Sequence, residues 1–167
     1  MGYALFTARK LSVSSRLNLC NAHIMSNTER AYSLTARISA LQSQSSLDKT
    51  TQSKNAYTEY SKAVTSASDE YQTVLKNEKA TDAEKDAAKE KYNTAQTKAQ
   101  GILNEALAEI DSKSAMTDIE IQDLNMEQTQ LDQQKKTLET QLTAYTNELE
   151  AVEKAEEDAI KKAAPKF

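Results

Sequence analysis

Proline and glycine are almost missing from this chain of 167 residues. Pro165 is the only proline, and Gly2 and Gly101 are the only glycines. Average proteins carry roughly 7% Gly and 5% Pro, so almost nothing between residues 3 and 164 interrupts a helix. An all-β fold needs turn residues every few positions and is excluded. Tryptophan is absent, and hydrophobic residues make up only 38% against 28% charged. That composition is too poor for a large globular core and suits narrow apolar stripes on long helices. A single cysteine, Cys20, excludes an intramolecular disulfide. No segment approaches the ~18 consecutive apolar residues of a membrane span. The net charge of −4 argues against nucleic acid as a partner.

What the chain does have is spacing. Tyr3, Phe6, Lys10, Val13, Leu17, Cys20, Ile24, Asn27, Ala31, Leu34, Ile38 and Leu41 alternate three and four apart without a skip. This is a heptad seam, with Lys10 and Asn27 as polar interruptions of the kind that fix register or partner number. The first 25 residues hold Arg9, Lys10 and Arg16 and no acid, the composition of a mitochondrial presequence. A removable peptide has no reason to stay in phase with the helix behind it, so the periodicity argues instead for one structural helix over residues 3–45. Residues 3–20 also have the make-up of a basic amphipathic helix that could contact a membrane. Packing of that face on another helix is the preferred expectation.

Residues 43–53 are rich in Ser and Thr, which compete for backbone hydrogen bonds, and a joint is expected there. The alternation resumes at Tyr57, Tyr60, Val64, Ala67, Tyr71 and Val74, then at Ala88, Tyr92, Ala95, Ala99, Ile102 and Ala106. Thr81 with Glu84 forms a capping box, which places a turn near 78–82 and makes a central helical hairpin of residues 54–112. The alanines of its second arm offer space for the tyrosines of the first. Thr117 with Glu120 repeats the capping pattern and predicts a second helix start. The last helix, over 115–164, carries Ile121, Leu124, Leu131, Leu138, Leu142, Tyr145, Leu149 and Val152, interrupted by Gln128, Lys135 and Glu156, with Ala159 and Ala163 closing the row and Pro165 ending it.

The expected fold is therefore all-α: an elongated antiparallel helical bundle or coiled coil in which the terminal helices pair around the central hairpin. Charge agrees with that pairing. The chain is purely basic up to residue 28, whereas residues 139–158 contain seven acids against Lys154. Opposite charges beside an apolar seam select partner and orientation, within one chain or between subunits.

The arrangement resembles the helical cores of flagellin-like and type III-exported filament proteins. In that group the N- and C-terminal helices pair as a coiled coil and the middle of the chain forms an insert. The resemblance covers Tyr3–Leu41 and Thr117–Ala163 around the hairpin Tyr57–Ala106. It implies export without cleavage, hence a place outside the cell or on its surface (the alternative being cytoplasmic), and assembly through the terminal helices.

No pattern for catalysis stands out. There is no Gly-rich phosphate loop and no G-x-S-x-G turn. Cys20 and His23, three apart on a helix, are too few to hold a metal, and their expected roles are packing and a solvated surface. The expectation is a non-enzymatic coiled-coil protein without cofactors, which self-associates or binds a helix of another protein. Its interaction residues would be the seam itself, from Val13, Leu17, Cys20 and Ile24 through Tyr57, Tyr60 and Tyr71 to Val152.

Overall fold

A computed structural model describes residues 2–163, with side chains from residue 4 onward. The fold is an all-α antiparallel helical hairpin. Helix α1 runs Gly2–Leu75 and helix α2 runs Asp82–Ala163. Four helices were expected, and the described residues form two. The assignment of Tyr3 to the seam and the stop at Pro165 lie outside the described side chains.

One break is where the sequence places it. At the end of α1 the Lys76 amide donates to the Gln72 carbonyl at 3.0 Å and the Asn77 amide to that of Val74 at 3.2 Å. Asn77 then organises the turn. Its side-chain oxygen accepts from the Lys79 amide at 3.1 Å, and its carbonyl accepts from Ala80 at 3.0 Å. Thr81 caps α2. The Glu84 amide donates to the Thr81 hydroxyl at 3.3 Å, and the Glu84 carboxylate accepts from the Thr81 amide at 2.7 Å. Two amides that the helix start would leave without partners are thereby satisfied reciprocally.

The other two expected breaks are corrected. Residues 43–53 are continuous α-helix. Two of their side chains find partners inside the helix: Thr50 donates to the Ser46 carbonyl at 2.8 Å, and Gln44 donates to Asp48 at 2.7 Å. A hydroxyl satisfied four residues back no longer competes for backbone groups. Thr117 is not a cap either. It lies in mid-helix, and its hydroxyl donates to the Lys113 carbonyl at 3.2 Å.

The chain divides into two compact units. Unit 1 pairs Met1–Ile38 with Asp123–Phe167, and unit 2 is Ser39–Gln122 with the turn. In unit 1 the register is antiparallel and regular. Arg16, Cys20 and Asn27 meet Tyr145, Gln141 and Gln134, so each step forward on α1 is an equal step back on α2. The seam is closed by Val13, Cys20 and Leu34 on one helix and by Leu124, Leu131 and Val152 on the other, all buried. Each such aliphatic side chain contributes about 1.5–3 kcal/mol.

Unit 2 departs from the expected phase. Tyr57 is 55% exposed and Ala56 takes the inner position. Ile102 is 57% exposed, whereas Leu103 is 5% exposed. Both helices here space inner residues by successive fours, as in Ala56–Tyr60–Val64 and Ala95–Ala99–Leu103. At Tyr57 the reason is the missing break, since an uninterrupted helix inherits its phase from the residues before it; at Ile102 it is the extra fours, which unwind a coiled coil locally toward the straight 3.6-residue period.

Candidate interaction surfaces

The sequence-predicted seam residues fall into three groups. Val13, Leu17, Cys20, Ile24, Leu34 and Ile38 of α1, with Leu124, Leu131, Leu138, Leu142, Tyr145, Leu149 and Val152 of α2, are buried or half-buried inside unit 1. Leu41, Tyr60, Tyr71 and Ile121 are half-buried inside unit 2. Tyr57 is on the outside. Ala159 and Ala163 are exposed too, so the half-buried row of α2 ends at Glu156.

Of the polar interruptions of unit 1, Lys10 and Glu156 meet each other, while Asn27 and Gln128 reach exposed residues beside the seam. The Lys10 ammonium donates to Glu156 Oε2 at 2.7 Å and lies 3.7 Å from Glu153 Oε1. The hydrogen bond to Glu156, with the nearby carboxylate charges, raises the Lys10 pKa above its ordinary 10.5 although partial desolvation opposes it. The Asn27 amide donates to Gln134 Oε1 at 3.3 Å, and the Gln128 amide donates to the Thr35 hydroxyl at 3.0 Å. Cys20 is buried, and its thiol makes a long contact of 3.9 Å with Gln141 Oε1. Three layers thus lose bonds if the helices slip, which is how polar seam residues specify register.

Arginines on the next position of α1 line one edge. Arg9 donates to Glu148 at 3.1 Å, Arg30 pairs with Glu127, and the Arg16 guanidinium lies 5.8 Å from the Tyr145 ring centre. Exposed ion pairs are worth only ~0–1 kcal/mol, so this edge steers pairing more than it holds it. His23 occupies the same edge, exposed among Asn27, Gln130, Gln133 and Gln134. No cluster of three or more His, Cys, Asp or Glu is placed to hold a metal among the described residues. Among those residues, too, no helix is long and apolar enough to cross a membrane.

Unit 2 carries the tyrosines. Tyr71 and Tyr92 stack with centroids 5.7 Å apart and planes at 18°. Tyr60 shares an apolar groove with Ala56, Ala63, Ala99, Leu103 and Ala106, the large-against-small arrangement expected of this hairpin.

Sequence reasoning followed the seam and missed what lies outside it. Leu5, Leu11, Leu19, Met25 and Tyr32 of α1 are all exposed. Their signal was present in the heptad. Carrying the phase from the seam outward puts Leu11, Met25 and Tyr32 on one outer flank of α1 and Leu5 and Leu19 on the other, and polar residues are the norm on such flanks. No protein-family model, curated protein or solved structure matches this chain.

Proposed function

We propose that this protein is a non-enzymatic, self-associating coiled-coil structural protein. The observation that carries the reading is the imbalance of its apolar surface. Among the described residues, ten hydrophobic side chains are buried while thirteen large ones are exposed. Two helices in contact along one row bury little, and a helical hairpin with exposed apolar faces gains stability when further helices cover them. A filament or appendage subunit is the form of assembly that the resemblance of the paired terminal helices suggests. Assembly through those helices would put unit 1 in the subunit contacts.

The test is light scattering behind size exclusion over a wide concentration range, with electron microscopy of the same fractions. Mass that grows with concentration, or filaments, supports the reading. A monomer at every concentration contradicts it.

A second reading rests on the groove of unit 2. Its apolar lining around Tyr60 and Leu103 has the chemistry of a slot for an amphipathic helix. A coiled-coil adaptor, scaffold or chaperone holding a helix of another protein would use it so. A small oligomer of fixed size in the scattering experiment would move the weight to that reading.

A further inference from the structure

The turn that closes the hairpin has little to hold it closed. Between Leu75 and Asp82 stand Lys76, Asn77, Glu78, Lys79, Ala80 and Thr81. None of these is glycine or proline, and no described residue takes a positive φ. Many helices end on a left-handed residue, usually glycine, and α1 does not. Lys, Glu and Ala are strong helix formers. The turn is shaped by the bonds of Asn77 and by the Thr81–Glu84 box, and their side-chain bonds are exposed to solvent.

The two helices are also in phase across this turn. Tyr71 and Val74 are inner residues at the end of α1, and Ala88 and Tyr92 are inner residues at the start of α2. Read straight through, Tyr71, Val74, Glu78, Thr81, Lys85, Ala88 and Tyr92 alternate three and four apart without a skip. A turn leaves the second helix free to take a new phase, so the hairpin does not require this one. A single helix running through residues 76–81 does require it, because its inner row must stay on one stripe.

Such a helix cannot fold back on itself, but it can pair with a second copy. Each contact that α1 makes with α2 in the hairpin is open, in the same register, to α2 of another copy laid antiparallel. In unit 2, Tyr71 stacks on Tyr92. Seven residues further in from each, Glu78 comes level with Lys85 of the second copy, and Lys85 with its Glu78. Like charges at these two new levels would oppose the pairing, and opposite charges favour it. In unit 1, the contacts Arg16–Tyr145, Cys20–Gln141 and Asn27–Gln134 re-form between chains instead of within one.

We infer that the hairpin exchanges α2 with a second copy: residues 76–81 become helical, and two chains form a domain-swapped antiparallel dimer centred at Thr81 and Asp82. This exchange rests on the self-association reading and names the contact it uses, which is the hairpin's own seam. The dimer is isologous, each copy giving and receiving the same residues. The tether of the turn favours the closed hairpin in dilute solution, and mass action favours exchange as concentration rises.

The experiment uses the full chain as Cys20→Ala/Asn27→Cys/Gln134→Cys, which sets two thiols across the seam of unit 1. Dimer and monomer are separated by size exclusion, treated with a short bis-maleimide, and run on a denaturing gel. The expected result is a covalent dimer from the dimer fraction and an internally linked single chain from the monomer fraction. A dimer fraction that yields only internally linked single chains would overturn the exchange while self-association stands. In parallel, Asp82→Pro keeps the hairpin, since proline suits the first residue of a helix, but it breaks a helix running through the turn. It is expected to retain the helicity of the monomer and to weaken dimerisation about 100-fold or more. Asn77→Ala, which removes a turn bond and favours helix, is expected to raise the dimer share. If Asp82→Pro forms the linked dimer as readily as the parent, the continuous helix is wrong. If the parent is a monomer at every concentration, both the exchange and the reading beneath it fail.

Discussion

Lys10 Nζ lies 2.7 Å from Glu156 Oε2, so two polar residues that interrupt the apolar seams of α1 and α2 interrupt them at the same level. A charge in a seam is costly unless its partner is in place. Here the partner is on the other helix, and the pair ties the start of α1 to the end of α2. Lys10→Glu is expected to lower the melting temperature at neutral pH, and Glu156→Lys in the same chain to restore most of it. The pH dependence has a defined sign. Lys10 has a raised pKa in the folded state, so its stabilisation is complete below the ordinary lysine value of 10.5 and fades as pH rises through the raised one. The difference in melting temperature between the parent and Lys10→Met, followed by circular dichroism, should hold from pH 7 to that range and shrink above it.

The Thr81 cap titrates at the other end of the scale. The Thr81 amide, and then its hydroxyl, donate to the Glu84 carboxylate and depress its pKa below 4.5. The carboxylate therefore stabilises the cap above pH 4.5, and that contribution is lost as pH falls through the depressed value. Thr81→Ala is expected to cost about 1 kcal/mol. Amide exchange in the first turn of α2 should quicken in Thr81→Ala at pH 7. In Glu84→Gln the same exchange should lose the acid-dependent step of the parent.

The phase of unit 2 is tested by neighbouring residues. Leu103→Ala is expected to destabilise by about 2–3 kcal/mol and Ile102→Ala by less than about 0.5 kcal/mol. Ala56→Asp should likewise be harmful and Tyr57→Asp tolerated. Denaturant melts of the four variants decide the matter. Equal losses within each pair would show that the successive fours of this unit are misplaced.

How much of this was legible in the sequence depends on where the helix was interrupted. From Phe6 to Leu41 and from Thr117 to Glu156 the three-four alternation names residues that are buried or half-buried without exception. The phase is inherited along an unbroken helix, so it could be read there. Tyr57 was misread because a break was expected just before it, and a restarted helix is free to take a new phase; Ile102 was misread because the three-four alternation was continued where the helix spaces its inner residues by fours. The capping pattern shows why such breaks cannot be called from the cap alone. Thr81 and Thr117 are each followed three residues on by glutamate, yet only Thr81 caps. Before Thr117 the inner row continues through Ile110 and Ser114, so the helix has a buried side to keep. From Leu75 to Lys79 every residue is exposed, and there the chain turns. The outer flanks of α1 were legible from the same phase, read outward rather than inward.

Gly101 offers a stabilising change. It sits inside α2 without a positive φ, and a Cβ added there would meet nothing within 4 Å. Alanine removes the backbone freedom that glycine loses on folding and adds no clash. Gly101→Ala is expected to stabilise by about 0.5–1 kcal/mol, read as a higher denaturant midpoint with an unchanged slope.

The central claim is that the hairpin's own core is narrow and that a second copy supplies the rest. Folding and association are then linked, and mass action makes the melting temperature depend on protein concentration. The most direct measurement is thermal unfolding of the full chain, followed by circular dichroism, over a hundredfold range of concentration. The account predicts a melting temperature that climbs steadily with concentration. A melting temperature that stays the same across that range, for a chain of monomeric mass, would contradict it.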